Sequence, residues 1–181
     1  MSCVIELKMS ICKKLLKLYV DSCRVGREFA GFVFTSKKRS QDVEYVIGDK
    51  DKIPITNILK LAKNKKKFVE FIWHTHQTGS SVFSSSDLEA LENLKIPLSL
   101  ISEISFKKGP FKVIFPTIIF IHKSPFMIKD FIGIEKSIEY KGFYLIWIPL
   151  NPFLRFLQKL KWLFFGEPKV KGFIDLSLRN E

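Results

Sequence analysis

A chain of 181 residues is long enough for one domain of ordinary size, and with 46% hydrophobic and 27% charged residues it is not disordered throughout. Lys and Arg number 30 against 18 Asp and Glu, and the net charge of +12 points to an anionic partner without bearing on fold. The three cysteines, Cys3, Cys12 and Cys23, form an odd, clustered set with no CxxC pair, which excludes a disulfide framework and favours a reducing compartment. No uninterrupted apolar run opens the chain, so no signal peptide is expected and a cytoplasmic location is.

In chain order, Val4–Lys8 reads as a short strand and Ser10 as the N-cap of a helix running to about Cys23. Cys12, Leu15, Leu16, Tyr19, Val20 and Cys23 follow the spacing of one buried helix face, with Lys13, Lys14, Lys17 and Asp21 on the wet face. Phe29–Phe34 and Val43–Ile47 read as a strand pair around a polar loop at Thr35–Asp42, and Ile55–Ala62 as a short helix. The basic cluster Lys63–Lys67 reads as a solvated helix end or turn. Phe68–His74 reads as a central strand that empties into a polar loop, Gln77–Ser81. A helix over Ser85–Leu94 turns Leu88, Leu91 and Leu94 to the core, and strands follow at Leu98–Phe106, Val113–His122 and residues 140–149. Asn151–Phe165 is the last helix, with Pro152 in its first turn. Strands interleaved with helices predict an α/β or α+β fold, a sheet covered by helices.

The chemistry concentrates in Trp73-His74-Thr75-His76, followed after seven residues by Ser84-Ser85-Ser86-Asp87. Two histidines separated by one residue at a strand end share a face, so both imidazoles can meet one ion. A carboxylate eleven residues on, in the first turn of a helix, can return as a third ligand. Two His and one carboxylate leave a fourth tetrahedral position open, as in catalytic rather than structural zinc sites. Taken singly each half is weak: His-x-His pairs occur by chance on strands, and Ser84-x-x-Asp87 also fits a capping box. The cap and the ligand roles are compatible.

Together, His74, His76, Ser84 and Asp87 form the pattern H-x-H-x7-S-x-x-D, which resembles the JAMM (MPN+) zinc metalloproteases. That family also carries a glutamate upstream on a strand reading roughly E-x-x-G, and Glu28-Phe29-Ala30-Gly31 stands here, 46 residues before the first His. The resemblance covers about residues 4 to 122 and departs at Gln77, where the family usually has proline. It implies a JAMM/MPN-like, cytidine-deaminase-like central mixed sheet flanked by helices, with a metalloprotease domain over residues 1–125. It implies that His74, His76 and Asp87 hold Zn2+ with a water in the fourth position, that Glu28 is the general base, and that Ser84 donates to the oxyanion. The implied reaction is hydrolysis of an amide or isopeptide bond, with a ubiquitin-like or small sulfur-carrier protein as substrate. Trp73 is expected to pack in the core, His122 to be structural or exposed, and Glu44 and Glu70 lack the following Gly of the pattern.

Residues 126–181 are expected to form a C-terminal extension, a strand plus a basic amphipathic helix packed on the same domain. The charge excess is denser there, +7 over residues 107–181 against +5 over residues 1–106. The final helix has apolar residues at 153, 156, 157, 160, 163 and 164 with Arg155, Lys159 and Lys161 interspersed, and its charges and prolines argue against a transmembrane span. Its readings, in order of preference, are a core-packed helix, a dimer or substrate-docking surface, and a weak interfacial membrane helix. The alternative function, from another class, is a basic nucleic-acid-binding or DNA-repair-associated protein of the same fold. No recognised nucleic-acid motif accompanies the charge.

Overall fold

Val, Ile and Phe crowd the strand-forming runs, and the chain answers with two sheets. The computed structural model describes residues 3–35, 40–48, 57–60, 68–76, 83–108 and 110–166. The elements are β1 (Cys3–Leu7), α1 (Met9–Val25), β2 (Phe29–Thr35), β3 (Gln41–Ile47), β4 (Phe68–Thr75) and α2 (Ser85–Leu91). Then come β5 (Leu98–Lys108), β6 (Phe111–His122), β7 (Phe126–Asp130), β8 (Ile134–Lys136), β9 (Ile138–Tyr140), β10 (Phe143–Pro149) and α3 (Pro152–Phe165). Residues 57–60 are also helical; the rest of the helix expected over Ile55–Ala62 lies outside the described residues, as do Lys63–Lys67 and Gln77–Ser81.

The large sheet has the order β3-β2-β4-β5-β6-β10-β9, and the small one β1-β7-β8. Each sheet is mixed: β4 and β5 are parallel in the first, β1 and β7 in the second, and their other pairs are antiparallel. The protein is therefore a strand-rich α+β fold. Alternation along β4 sends Phe71 and Trp73 to one face and Ile72 to the other. The Trp73 face is covered by Ile11, Cys12, Leu15 and Tyr19 of α1 and by Ile5, Leu7, Phe126 and Ile128 of the small sheet. The opposite face is covered by Ile58, by Leu91 of α2 with Leu94 beyond it, and by Trp162 of α3. Trp73 is a core residue, as expected.

Several sequence expectations are corrected. Helix α1 starts at Met9, not after a Ser10 cap: the Lys8 carbonyl already accepts from Ile11 and Cys12 N–H, so Ser10 falls inside the first turn. Its buried stripe is Ile11, Cys12, Leu15, Tyr19 and Ser22, while Val20 and Cys23 are exposed. Ser22 can take the buried place because its hydroxyl donates to the Tyr19 carbonyl, 2.9 Å away. The helix runs on to Val25 and stops at Gly26, whose φ of 69° is the left-handed cap that glycine adopts without strain. Gln41 and Asp42, expected in a loop, already belong to β3.

The largest correction lies beyond residue 125. One strand was expected there, and the described residues hold four, two in each sheet: β7 pairs in parallel with β1, and β10 pairs with β6. Residue 125 is thus no break in the architecture. Helix α3 spans the expected residues, capped by Asn151, whose side chain accepts from Phe153 and Leu154 N–H, with Pro152 at its start. Its packing is the reverse of the favoured reading: Arg155 is wholly buried, and the apolar stripe faces outward. The buried guanidinium is held by carboxylates of the small sheet that the helix's own sequence does not reveal. Arg155 Nε donates to Asp130 Oδ2 at 2.7 Å, Nη2 donates to Glu135 Oε2, and Nη1 donates to Gln158 Oε1 at 2.7 Å.

Candidate metal centre

Because β4 and β5 are parallel, the chain crosses over between them, and α2 lies on that crossover. The N-terminus of α2 therefore returns to the carboxyl end of β4, the usual place for a site in a sheet with parallel strands. His74 lies in the last turns of β4 pairing, opposite Leu100 of β5. His76 follows the strand, but its N–H still donates to the Ile101 carbonyl at 3.0 Å, so the ladder fixes both histidines. Asp87 is fixed by the capping box of α2: its N–H donates to Ser84 Oγ at 3.2 Å, and Oδ2 accepts from Ser84 N–H at 2.9 Å.

One ligand atom each from His74, His76 and Asp87 lies within 4.8 Å of the others, so these three side chains can hold one metal ion. His74 and Asp87 are each only 6% exposed. Neither ring nitrogen of His74 makes a well-aligned hydrogen bond. Its Nε2 stands 3.3 Å from Asp87 Oδ2, close enough for ionic attraction but not aligned for a hydrogen bond. A buried imidazole whose nitrogens lack well-aligned hydrogen bonds is costly, and a metal ion would remove that cost. Two imidazoles and one carboxylate with an open position form a donor set that suits zinc. With no ion, burial would push the His74 pKa down, but the Asp87 carboxylate and then Glu28 outweigh it and the net shift is upward. Burial would raise the Asp87 carboxyl, yet His74 and the Ser84 donors prevail and hold it well below the usual carboxylate range.

Glu28, just before β2, joins the group: its Oε1 is 4.0 Å from His76 Nε2. Thr75 Oγ1 accepts the Phe29 N–H at 2.9 Å, and the Glu28 carbonyl accepts from Gly48 N–H at 2.9 Å, so the backbone around Glu28 is tied to β4 on one side and to the end of β3 on the other. At Gly31 a Cβ would fall 1.9 Å from the Glu44 carbonyl oxygen, so only glycine lets β3 lie this close to β2. Ser84 is beside Asp87, but its hydroxyl donates to Asp87 Oδ2 at 2.8 Å, which makes it first a holder of the ligand.

The other sequence candidates are elsewhere. Glu70 sits four residues before His74, about 13 Å along the strand, and accepts from Thr35 Oγ1 at 2.5 Å. His122 is buried, its Nδ1 accepting from Ser124 N–H at 3.2 Å and its ring against Phe126, a structural role. Gln77 lies outside the described residues. Two contributors escaped the sequence reading. Thr75 hides between the ligands because its strand face looks like core. Phe83, buried with its ring centre 6.4 Å from that of His74, occupies the residue before the Ser84 cap. Phe83 and Leu88 stand at the two positions of a hydrophobic staple and belong to one apolar cluster, a signal the sequence did contain.

Comparison with family models and with curated proteins finds no match for this chain.

Proposed function

We propose that the protein is a zinc-dependent hydrolase of amide or isopeptide bonds, of the JAMM/MPN+ kind. The observation that carries the reading is the convergence of Glu28 with His74, His76 and Asp87 from three separate elements onto the carboxyl end of β4. The mixed sheet with α2 on its crossover agrees with the fold that this family would require, and the Gly31 contact supplies a physical reason for the glycine of its pattern.

His74, His76 and Asp87 would hold the ion. When bound, zinc supplies Lewis acidity, polarising a scissile carbonyl and acidifying water towards a pKa of about 7. Glu28 takes the proton of the attacking water as the C–O bond forms and returns it to the nitrogen as the C–N bond breaks, so the amine leaves neutral. Thr75 keeps the segment carrying Glu28 in register with the ligand strand. Ser84 N–H keeps Asp87 oriented even when the Ser84 hydroxyl turns to donate to the developing oxyanion. The substrate class we assign is the tail of a ubiquitin-like or sulfur-carrier protein; where such a protein is acidic, the net charge of +12 would steer it to the enzyme.

The test is incubation of the zinc-loaded protein with ubiquitin-like and sulfur-carrier conjugates, with and without chelator, alongside elemental analysis. Cleavage that stops on chelation, with about one zinc per chain, is the expected result. Equal zinc in wild type and His76→Ala would remove the site.

A further inference from the structure

The capping box of α2 does not account for every hydroxyl around it. Ser84 Oγ also stands 2.8 Å from Ser86 Oγ. A serine hydroxyl has one proton to give and two lone pairs to receive with. The Ser84 proton goes to Asp87 Oδ2, 2.8 Å away, because a carboxylate only accepts. The Asp87 N–H, at 3.2 Å, takes one lone pair of Ser84 Oγ. Only a lone pair is left toward Ser86, so Ser86 is the donor of the third contact. The result is a directed chain, from the Ser86 hydroxyl to Ser84 Oγ and from the Ser84 hydroxyl to Asp87 Oδ2. It ends inside the candidate centre, on the carboxylate oxygen that stands 3.3 Å from His74 Nε2.

Ser86 itself is exposed, while Asp87 beside it is buried. An exposed serine in a first helical turn ordinarily spends its hydroxyl on water or on nearby backbone. Here the hydroxyl leads inward. Hydrogen bonds in a chain polarise one another, so a Ser84 hydroxyl that accepts from Ser86 donates more strongly to Asp87. With both lone pairs of Ser84 filled, its proton has one place to point. A water could replace the Ser86 donation, but it would have to be immobilised from solvent, whereas α2 already holds the Ser86 oxygen. Partners that orient a metal-ligating carboxylate set metal affinity as well as geometry.

We infer that Ser86 is a positioning residue for Asp87, acting through the Ser84 hydroxyl. This role rests on the metal centre of the reading above and not on the reaction assigned to it. The test is competition titration of zinc between a chelator dye and the full chain, as wild type, Ser86→Ala, Ser86→Thr, Ser84→Ala and the double variant Ser84→Ala/Ser86→Ala. Ser86→Ala should weaken zinc binding about threefold, the scale of one net hydrogen bond, with the melting temperature of the metal-free protein no lower than that of wild type. Ser86→Thr, which keeps the hydroxyl, should restore wild-type affinity. In the Ser84→Ala background the chain is already cut, so removing Ser86 as well should change nothing further. Wild-type affinity in Ser86→Ala would overturn the role, and so would a loss of the same size in the presence and absence of the Ser84 hydroxyl, since Ser86 would then act by another route. Wild type that takes up no zinc would overturn the metal centre itself, and this role with it.

Discussion

Among the described residues, two buried clusters of charged and titratable side chains are finished differently. Around Arg155 the polar groups are matched. Asp130 Oδ1 accepts from Ile132 and Gly133 N–H, its Oδ2 accepts from Arg155, and Glu135 accepts from Arg155 with Lys159 behind. Around His74 the matching is looser: Asp87 is held by Ser84, but the imidazole it faces has no well-aligned hydrogen bond at either nitrogen. A closed cluster fixes structure, here the rotation of α3. An open one, at the end of a strand and beside a helix N-terminus, leaves side chains that can hold one metal ion.

The sharpest way to break that contrast is through the open cluster. Under the proposed function, Glu28→Gln should keep the metal and the fold while losing on the order of 10²–10⁴ of the hydrolytic rate. His74→Ala and Asp87→Ala should lose activity and metal together. Paired metal content and turnover separate the two patterns, and full activity in Glu28→Gln would strike Glu28 from the mechanism. Glu70 could not replace it, being bonded to Thr35 at the far end of β4.

In the closed cluster the expected damage is to stability. Arg155→Ala leaves Asp130 and Glu135 buried without their guanidinium, and removing one partner of such a pair costs about 3–5 kcal/mol. Burial already pushes the Glu135 carboxyl up against the opposing pull of Arg155 and Lys159, so the remaining charge has little relief. Chemical denaturation should show the loss, with the metal content of the folded fraction unchanged. A loss under about 1 kcal/mol would mean that the cluster contributes no more than a surface ion pair does.

A smaller effect is expected from pH on the metal-free protein. The folded His74 pKa lies above its unfolded value near 6.5, so its contribution is complete below that pH and is lost as pH rises through the folded value. The folded Asp87 pKa lies below the unfolded value near 3.9, so its contribution is present above that pH and is lost as pH falls through the folded value. The pair therefore supports the metal-free fold best in mild acid and less as pH rises past neutrality. Metal, which must displace the His74 proton, should restore stability increasingly with pH. Thermal melts of wild type and Asp87→Asn, with and without zinc, would show it; parallel pH profiles in the metal-free pair would refute it.

The two clusters also differ in how far they could be read from sequence. His74, His76, Ser84 and Asp87 are legible because strand and helix periodicity turns their spacing into shared faces and a cap. Glu28 was found only through a family pattern, since a strand glutamate carries no local mark. Arg155 stood in the sequence only as one of three basic residues interspersed in the final helix, because its partners are 25 and 20 residues away, on strands too short to announce themselves. β8 and β9 have three residues each, separated by Ser137, and the inward side of β7 ends in a charge, Asp130. The parallel pairing of β1 with β7 depends on contacts across most of the chain and leaves no local trace. The apolar stripe of α3 was read correctly as a stripe and wrongly as core, because the residue that turns it outward is a buried cation.

The two helix caps give the finest test, because they are alike as caps and differ in what they hold. Ser84 accepts from Asp87 N–H at the start of α2, and Asn151 accepts from Phe153 and Leu154 N–H at the start of α3. Replacing either by alanine should cost about 1 kcal/mol of stability. Only Ser84 also donates its hydroxyl to the carboxylate of the candidate metal centre, Asp87. Partners that orient a ligand typically affect metal affinity by about 10–100-fold, but Ser84 N–H survives the substitution and still holds Asp87 Oδ2, so a loss near the lower end is expected. Ser84→Ala should therefore weaken zinc binding about tenfold and reduce turnover further under saturating zinc, while Asn151→Ala should leave both unchanged. Competition titration with a zinc chelator dye measures the first quantity. If the two variants hold zinc alike, the Ser84 hydroxyl is a cap alone; if Ser84→Ala binds more weakly but turns over normally when saturated, it positions Asp87 and takes no part with the oxyanion.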